Sequence, residues 1–424
     1  MNASIAFDRS VDYGKRAPEI FATGLELIMR YPRIAMIHSS MGERGGAEKL
    51  ILEQANYLTK RHSLTIFATY SRPQQCYPNL MKGLDIRQLV GFPIPKFELV
   101  SNITLALILA RNFKGNFEEY DILFTHQQPA HWIAYTSSRP YVVQIHSLLT
   151  ILYPERFPDE PPWDTDYDRF LINLASKLGG YRILRHVDRL SMRGARKVLV
   201  QSKKLAKVIK DLYDVEAFCI HYGIDFSGLT RTNPEPVFSK YRIKSPLILM
   251  VTRLIPSKGA DVLIEIMPRI LREYPKATLV IACPKGHYQT VWRLHARRLN
   301  VENSTRIITV PPSEINALYS GATVVGFPSI APENAPRAVI EAMSFGIPIV
   351  AWDNGWGGAE TVAEGGGMLA KPHDINDFGD KVQALLNDEE MRIRIGKRTR
   401  QYAATLSWEH VGPKFEEVLR NAAG

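Results

Sequence analysis

Short apolar runs alternate with helical periods along this chain, and after one interruption the alternation starts again. In the first half the runs are RIAMIHSS from Arg33, LTIFATY from Leu64, DILFTH from Asp121, YVVQIH from Tyr141 and KVLVQS from Lys197. Buried runs of this length, spaced by amphipathic stretches, predict a parallel sheet wrapped by helices. The polar, Pro-rich SGLTRTNPEPVFSKYRIKSP after Phe226 reads as a linker. Beyond it come LILMVTR from Leu247, ATLVIACP from Ala277, RIITV from Arg306, TVVGFPS from Thr323 and IPIVAW from Ile347. Between the first two of these, KGADVLIEIMPRILREYP from Lys258 reads as a helix stopped at Pro275. The expectation is an α/β protein with two doubly wound domains, 33–230 and 231–405. An extension, 1–32, precedes them and includes a helical stretch over 14–30. A helix over 406–424 follows. At 424 residues the chain is too long for one ordinary core. Two such sheets in tandem hold ligands in the cleft at the carboxyl ends of their strands.

Four places at those strand ends carry chemistry. The first is FPSIAPENAPRAVIEAMSFGIPIVAW, where Glu333 and Glu341 are separated by seven residues. Pro336 suits the first turn of the following helix, because its missing N–H has no partner there in any case. The backbone of Asn334, Ala335, Arg337 and Ala338 then surrounds a helix N-terminus fit for an anion or sugar hydroxyls. Glu341 lies about 7 to 8 Å along the helix axis, with its side chain leaning back toward the start. Two carboxylates so arranged suit two anchors on one polar ligand better than the roughly 5 Å pair of a retaining glycosidase. Taken alone, Glu333 reads equally well as a helix cap and Glu341 as a surface acid.

The second place is VTRLIPSKGADVLIE, where Arg253 ends a strand and Lys258 and Gly259 open a helix. Two cations there suit a diphosphate. The third is MGERGGAEK, in which Gly45 and Gly46 let backbone N–H groups approach a ligand. The fourth is His146, ending YVVQIH. Neither G-x-G-x-x-G nor G-x-x-x-x-G-K-[ST] occurs, which argues against a dinucleotide oxidoreductase or a P-loop enzyme. Two metal-like patterns are set aside. Asp164 and Asp166 in WDTDYD follow a Pro-rich stretch and read as loop, and Pro129 breaks the helix that would bring His126 to His131. No metal and no cofactor are expected.

Taken together, these motifs resemble the retaining nucleotide-sugar glycosyltransferases of glycosyltransferase family 4, over roughly residues 33 to 420. The most specific part is the Glu333-to-Glu341 element. Arg253 with Lys258, the run Gly45-Gly46-Ala47-Glu48, YGID from Tyr222 and LSWEHVGPKFEEVL from Leu406 add to it. The resemblance implies the GT-B fold: two Rossmann-like domains facing a central cleft, with the last helix crossing back onto the first. It implies that Arg253 and Lys258 hold the donor diphosphate and that Glu333 binds the sugar hydroxyls. Glu341 would take the ribose, Gly46 would approach the diphosphate, and His146 would lie beside the transferred sugar. Ala335-Pro336 departs from the Phe-Gly pair of many members. The first half is also similar to lipid-linked-oligosaccharide mannosyltransferases. That implies transfer of a hexose, mannose favoured, from GDP-mannose or a UDP-sugar to a glycan or polyprenyl-lipid-linked acceptor. A GT-B epimerase and a nonenzymic nucleotide-sugar-binding protein are the alternatives.

Charge and cysteine usage bear on location. The net charge is +10, and residues 177–210 alone hold eleven Lys or Arg against one acid, Asp188. Arg182, Arg185, Arg189, Arg193 and Arg196 recur at helical steps beside Leu184, Val187 and Leu190. That spacing predicts a basic face that docks on an anionic membrane; no nucleic-acid partner is expected. The most apolar run, LVSNITLALILA from Leu99, is too short to span a bilayer. The polar first ten residues carry no secretory signal. Three scattered cysteines, Cys76, Cys219 and Cys283, suit a reducing compartment. The chain therefore reads as cytoplasmic and peripheral to a membrane face.

Overall fold

The structure is a computed structural model. It describes residues 31–42, 44–88, 117–127, 130–146, 180–284 and 288–424. The stretch from 14 to 30, the apolar run from Leu99, the pair Asp164 and Asp166, and Lys177 lie outside the described residues.

Among the described residues, two parallel sheets carry the fold. The first has seven strands: β1 (Ile34–Met41), β2 (Leu64–Ser71), β3 (Asp85–Gln88), β4 (Ile122–His126), β5 (Tyr141–Gln144), β6 (Lys197–Val200) and β7 (Ala217–Cys219), in the order β3-β2-β1-β4-β5-β6-β7. The second has six: β8 (Leu247–Val251), β9 (Thr278–Ala282), β10 (Thr305–Ile308), β11 (Val324–Phe327), β12 (Ile349–Trp352) and β13 (Met368–Ala370), in the order β10-β9-β8-β11-β12-β13. Every pairing is parallel, as the apolar runs predict. Strand order reverses between β1 and β4 in one sheet and between β8 and β11 in the other. Such switch points open a crevice at the carboxyl ends of the strands.

Central strands are buried along their whole length. Ile122 to His126 and Thr278 to Ala282 have no exposed member, because helices cover both faces. Three strands escape the sequence reading: β3, β7 and β13. Each is an edge strand of three or four residues: β3 is mostly polar and exposed, while β7 and β13 are apolar but only three residues long and partly exposed. Apolar runs do not mark such strands.

The last helix, Trp408–Ala423, returns to the first sheet. Trp408 stacks on Tyr57 at 5.6 Å, and Phe415 packs near Phe124. Ile224 N–H donates to the Leu406 carbonyl at 2.8 Å, which ties this return to the chain leaving the first sheet. Trp408 also closes on Gly223, where a Cβ would come within 2.4 Å of the indole. One hydrophobic cluster therefore runs from Ile34 and Phe124 through Trp408 to Leu249 and Val325. The opposite faces of the two sheets have separate cores.

Candidate active site

Both switch points deliver their loops to one place. After β8 the chain makes a tight turn, Pro256–Lys258, and Gly259 then takes a left-handed conformation, φ 74°. A Cβ on Gly259 would stand 2.2 Å from the Pro328 carbonyl oxygen, so only glycine lets this turn meet the loop after β11. The Ile330 N–H donates to the Ser257 carbonyl at 2.9 Å and fixes the contact. Lys258 Nζ consequently lies 2.5 Å from Glu333 Oε2, while Ser329 Oγ donates to Glu333 Oε1 at 2.6 Å. Lys258 is buried, and Arg253 is exposed, with no side-chain hydrogen bond or ion pair among the described residues.

The E-x7-E loop is stitched to the first sheet. Asn334 Nδ2 donates to the carbonyls of Ile145 and His146 at 2.7 and 2.9 Å, and its Oδ1 accepts from Gln201 N–H at 3.0 Å. The expectation for Asn334 concerns its backbone at the helix start; its side chain is engaged in holding the two sheets together. Ala335 is buried beside it. Pro336 is the N-cap residue of the helix Arg337–Ser344, one position earlier than the first-turn place expected of it; its φ of −76° is compatible with either, but ψ of 127° puts it outside the helix. No side chain caps that end.

Arg337 also bridges the sheets. Its guanidinium donates to both oxygens of Glu53, at 2.9 and 2.8 Å, and to Glu341 Oε1 at 2.8 Å. Glu53 lies on the helix Gly46–Leu58, as does Lys49, whose Nζ is 3.3 Å from Glu341 Oε1. Burial pushes the Glu341 carboxyl up, but Arg337 and Lys49 outweigh it and hold it below the ordinary carboxylate range. Glu341 is thus ionised and held by two cations, and Arg337 is not a free cation for a ligand.

At the glycine pair the two residues differ. A Cβ on Gly45 would meet the Glu48 carboxylate at 2.0 Å, whereas a Cβ on Gly46 would meet nothing within 4 Å among the described residues. Gly46 starts a helix with no side-chain cap among those residues, which suits approach of a ligand to its N–H.

His146 is half-buried. Its Nε2 lies 3.1 Å from His126 Nδ1 and its Nδ1 3.3 Å from the Tyr222 hydroxyl. Burial, with His38 adding to it, pushes its pKa down to about 3, so the ring is neutral at physiological pH. In the sequence, His126 reads as half of a metal-like pair with His131 that Pro129 keeps apart. The two do part: His131 is buried against Asp188 at 2.8 Å. His126, however, belongs to the site. It ends β4 just as His146 follows β5, and adjacent parallel strands place such residues side by side. That shared position was the available signal. Lys49 and Glu53, four apart on one helix face, were a second.

The basic segment is used differently from its reading. The helix ends at Gly194, so Arg196 is off its face. Arg189 and Arg193 donate to the carbonyls of Leu212 and Tyr213, the last turn of the helix Lys203–Tyr213. Arg182, Ile183, His186 and Leu190 remain exposed.

Residues 44–227 match the Glycosyltransferase Family 4 domain, and residues 235–402 match the domain Glycosyl transferases group 1. D-inositol 3-phosphate glycosyltransferase of Nocardia farcinica is 31% identical over 87% of this chain and 83% of its own. The GDP-mannose-dependent monoacylated alpha-(1-6)-phosphatidylinositol monomannoside mannosyltransferase of Corynebacterium glutamicum is 26% identical over 47% of this chain and 55% of its own. Among solved structures, Anabaena HepE in complex with UDP-glucose superposes with a TM-score of 0.71 at 20% identity, over 92% of this chain and all of that one. The fold is GT-B, and the chain belongs to glycosyltransferase family 4.

Proposed function

We propose that the chain is a retaining, nucleotide-sugar-dependent hexosyltransferase. It moves a hexose, mannose favoured, to a glycan or polyprenyl-lipid-linked acceptor without metal or cofactor. The observation that carries this reading is the contact of Lys258 with Glu333 at the switch point of the second sheet, on a loop whose Asn334 donates to the His146 carbonyl of the first. Departure of a nucleoside diphosphate develops negative charge on phosphate oxygen. Lys258, buried and held by Glu333, and Arg253, exposed, supply the cations to take that charge. Glu333 is anchored by Lys258 and Ser329, which suits an acceptor of sugar hydroxyl hydrogens better than a nucleophile. Retention then follows from attack by the acceptor on the face the nucleotide leaves, through an oxocarbenium-like state.

The C. glutamicum relative, GDP-mannose-dependent by name, supports mannose, and HepE, solved with UDP-glucose, supports a nucleotide sugar as donor. Contact with an anionic membrane is supported by Arg182, Ile183, His186 and Leu190, an exposed mixed face that would meet a lipid-borne acceptor.

The test is a panel of nucleotide sugars, scored for thermal stabilisation, for slow hydrolysis and for transfer to lipid-extract acceptors, with and without EDTA. GDP-mannose should stabilise the protein and turn over with the α-anomer retained. Stabilisation with no turnover in any mixture would support a binding protein, and C2 inversion without transfer an epimerase. Loss of activity in EDTA, restored by manganese, would sink the metal-free mechanism.

A further inference from the structure

His126 and His146 come from neighbouring parallel strands, and their rings lie 5.3 Å apart between centroids and 11° from parallel. One hydrogen bond joins them at 3.1 Å, and a second, at 3.3 Å, joins His146 to Tyr222. With both rings neutral, the chain of bonds can run two ways. In one, His126 Nδ1–H donates to His146 Nε2, and His146 Nδ1–H donates to the Tyr222 oxygen. In the other, Tyr222 O–H donates to His146 Nδ1, and His146 Nε2–H donates to His126 Nδ1.

The deciding atom is His126 Nε2, which is buried and has no partner among the described residues. In the second direction it must carry the ring's proton, leaving a buried N–H with no acceptor. In the first it is a bare lone pair. An orphaned buried N–H is the rarer and costlier of the two. The first direction therefore wins. Tyr222 then accepts from His146 and keeps its own hydrogen to give. It makes no other hydrogen bond among the described residues, and it lies within electrostatic reach of Glu333.

We propose that His126 is a positioning residue: its Nδ1–H fixes His146 as the Nδ1–H tautomer, so that the Tyr222 hydroxyl donates into the cleft toward an oxygen of the bound sugar or acceptor. The last step rests on the transfer reading of this cleft, whereas the tautomer does not.

The tautomer is read by nitrogen-15 NMR of the full chain labelled at histidine, with no substrate present. His146 is assigned from a His146→Gln variant. The proton should sit on His146 Nδ1 in the wild type. It should stay there in His126→Asn, whose amide can donate from nearly the same point, and be lost from it in His126→Leu. A proton on His146 Nε2 in the wild type overturns the proposal, as does an unchanged tautomer in folded His126→Leu. If His126→Leu does not fold, the wild type and His126→Asn decide.

In kinetics with the donor found by the panel, His126→Leu and Tyr222→Phe should each lower kcat about tenfold at unchanged donor KM, the scale of a lost orientation. His126→Asn should recover most of the loss. The double variant His126→Leu, Tyr222→Phe should be no worse than either single one, since both break one chain. Multiplied losses overturn the proposal. A wild type with no turnover would count against the transfer reading, while the tautomer still decides this one.

Discussion

Lys258 and Arg253 differ in setting, and their variants should differ accordingly. Lys258 is buried and lies 2.5 Å from Glu333, so Lys258→Ala removes a cation and also leaves that carboxylate without its ion partner. Arg253 is exposed and makes no ion pair among the described residues, so Arg253→Ala should leave stability near native. Both should weaken nucleoside-diphosphate binding and slow turnover, by about 2 to 4 kcal/mol in the transition state. Calorimetry with the diphosphate and kcat at saturating donor check this, and near-native turnover in either variant would remove the diphosphate assignment. The two glutamates should also separate. Glu333→Gln should chiefly lower kcat, and Glu341→Gln should chiefly raise donor KM. The reverse pattern would exchange their roles.

At the scale of elements, the helix Gly180–Gly194 is pinned from inside. Asp188 is buried and accepts from His131 at 2.8 Å, from Trp132 Nε1 at 2.8 Å and from the Tyr213 hydroxyl at 2.5 Å. Burial pushes its carboxyl up, but the bonds from His131, Tyr213 and Trp132 outweigh that and leave the pKa lowered. A lowered carboxylate contributes stability above its unfolded pKa, which is lost as pH falls through the folded one. Urea midpoints should therefore drop below about pH 4, more steeply in the wild type than in Asp188→Asn. Asp188→Ala should cost about 3 to 5 kcal/mol at neutral pH, the range for breaking a buried charged cluster. The outer face of the same helix makes a separate prediction. Sedimentation with anionic vesicles should fall as salt rises and weaken in an Arg182→Glu, Ile183→Ser double variant. Equal binding to neutral vesicles, or none to anionic ones, would end the membrane proposal.

The whole molecule is held together across the cleft by charge as well as by the returning helix. Arg337 from the second sheet meets Glu53 from the first, and Glu53 also accepts from Trp408 Nε1 at 3.4 Å and from Asp225 N–H at 3.2 Å. Arg337→Met strands a nearly buried Glu53 and should destabilise by about 3 to 5 kcal/mol. Because the lost pair spans the two sheets, the radius of gyration from X-ray scattering should rise. Adding Glu53→Gln should restore part of the loss, since a stranded charge costs more than an absent pair. No recovery in the double variant would mean that Arg337 acts through packing alone.

Much of this was legible in the residues. The central strands announced themselves because a strand covered on both faces must be apolar throughout. The reversal of strand order was implicit in the tandem α/β pattern. Glu333, Glu341, Arg253, Lys258, Gly46 and His146 stand out as candidates because strand ends and helix starts have local spacing that a linear reading can follow. What the sequence could not decide were relations between distant segments. Edge strands β3, β7 and β13 form because a neighbour offers a ladder, not because their residues demand it. The side chains of Asn334 and Arg337 look free in one dimension until Ile145, His146, Gln201 and Glu53 arrive from the other sheet and occupy their donors and acceptor. Arg189 and Arg193, two of the five arginines in the stripe, look free until the carbonyls of Leu212 and Tyr213 end a helix beside them. His126 is a decoy in one dimension and a neighbour of His146 in three. Burial patterns are local and survive in the order of residues. The partner of a hydrogen-bonding group is set by which surfaces meet, and that is decided only when the two sheets close on one another.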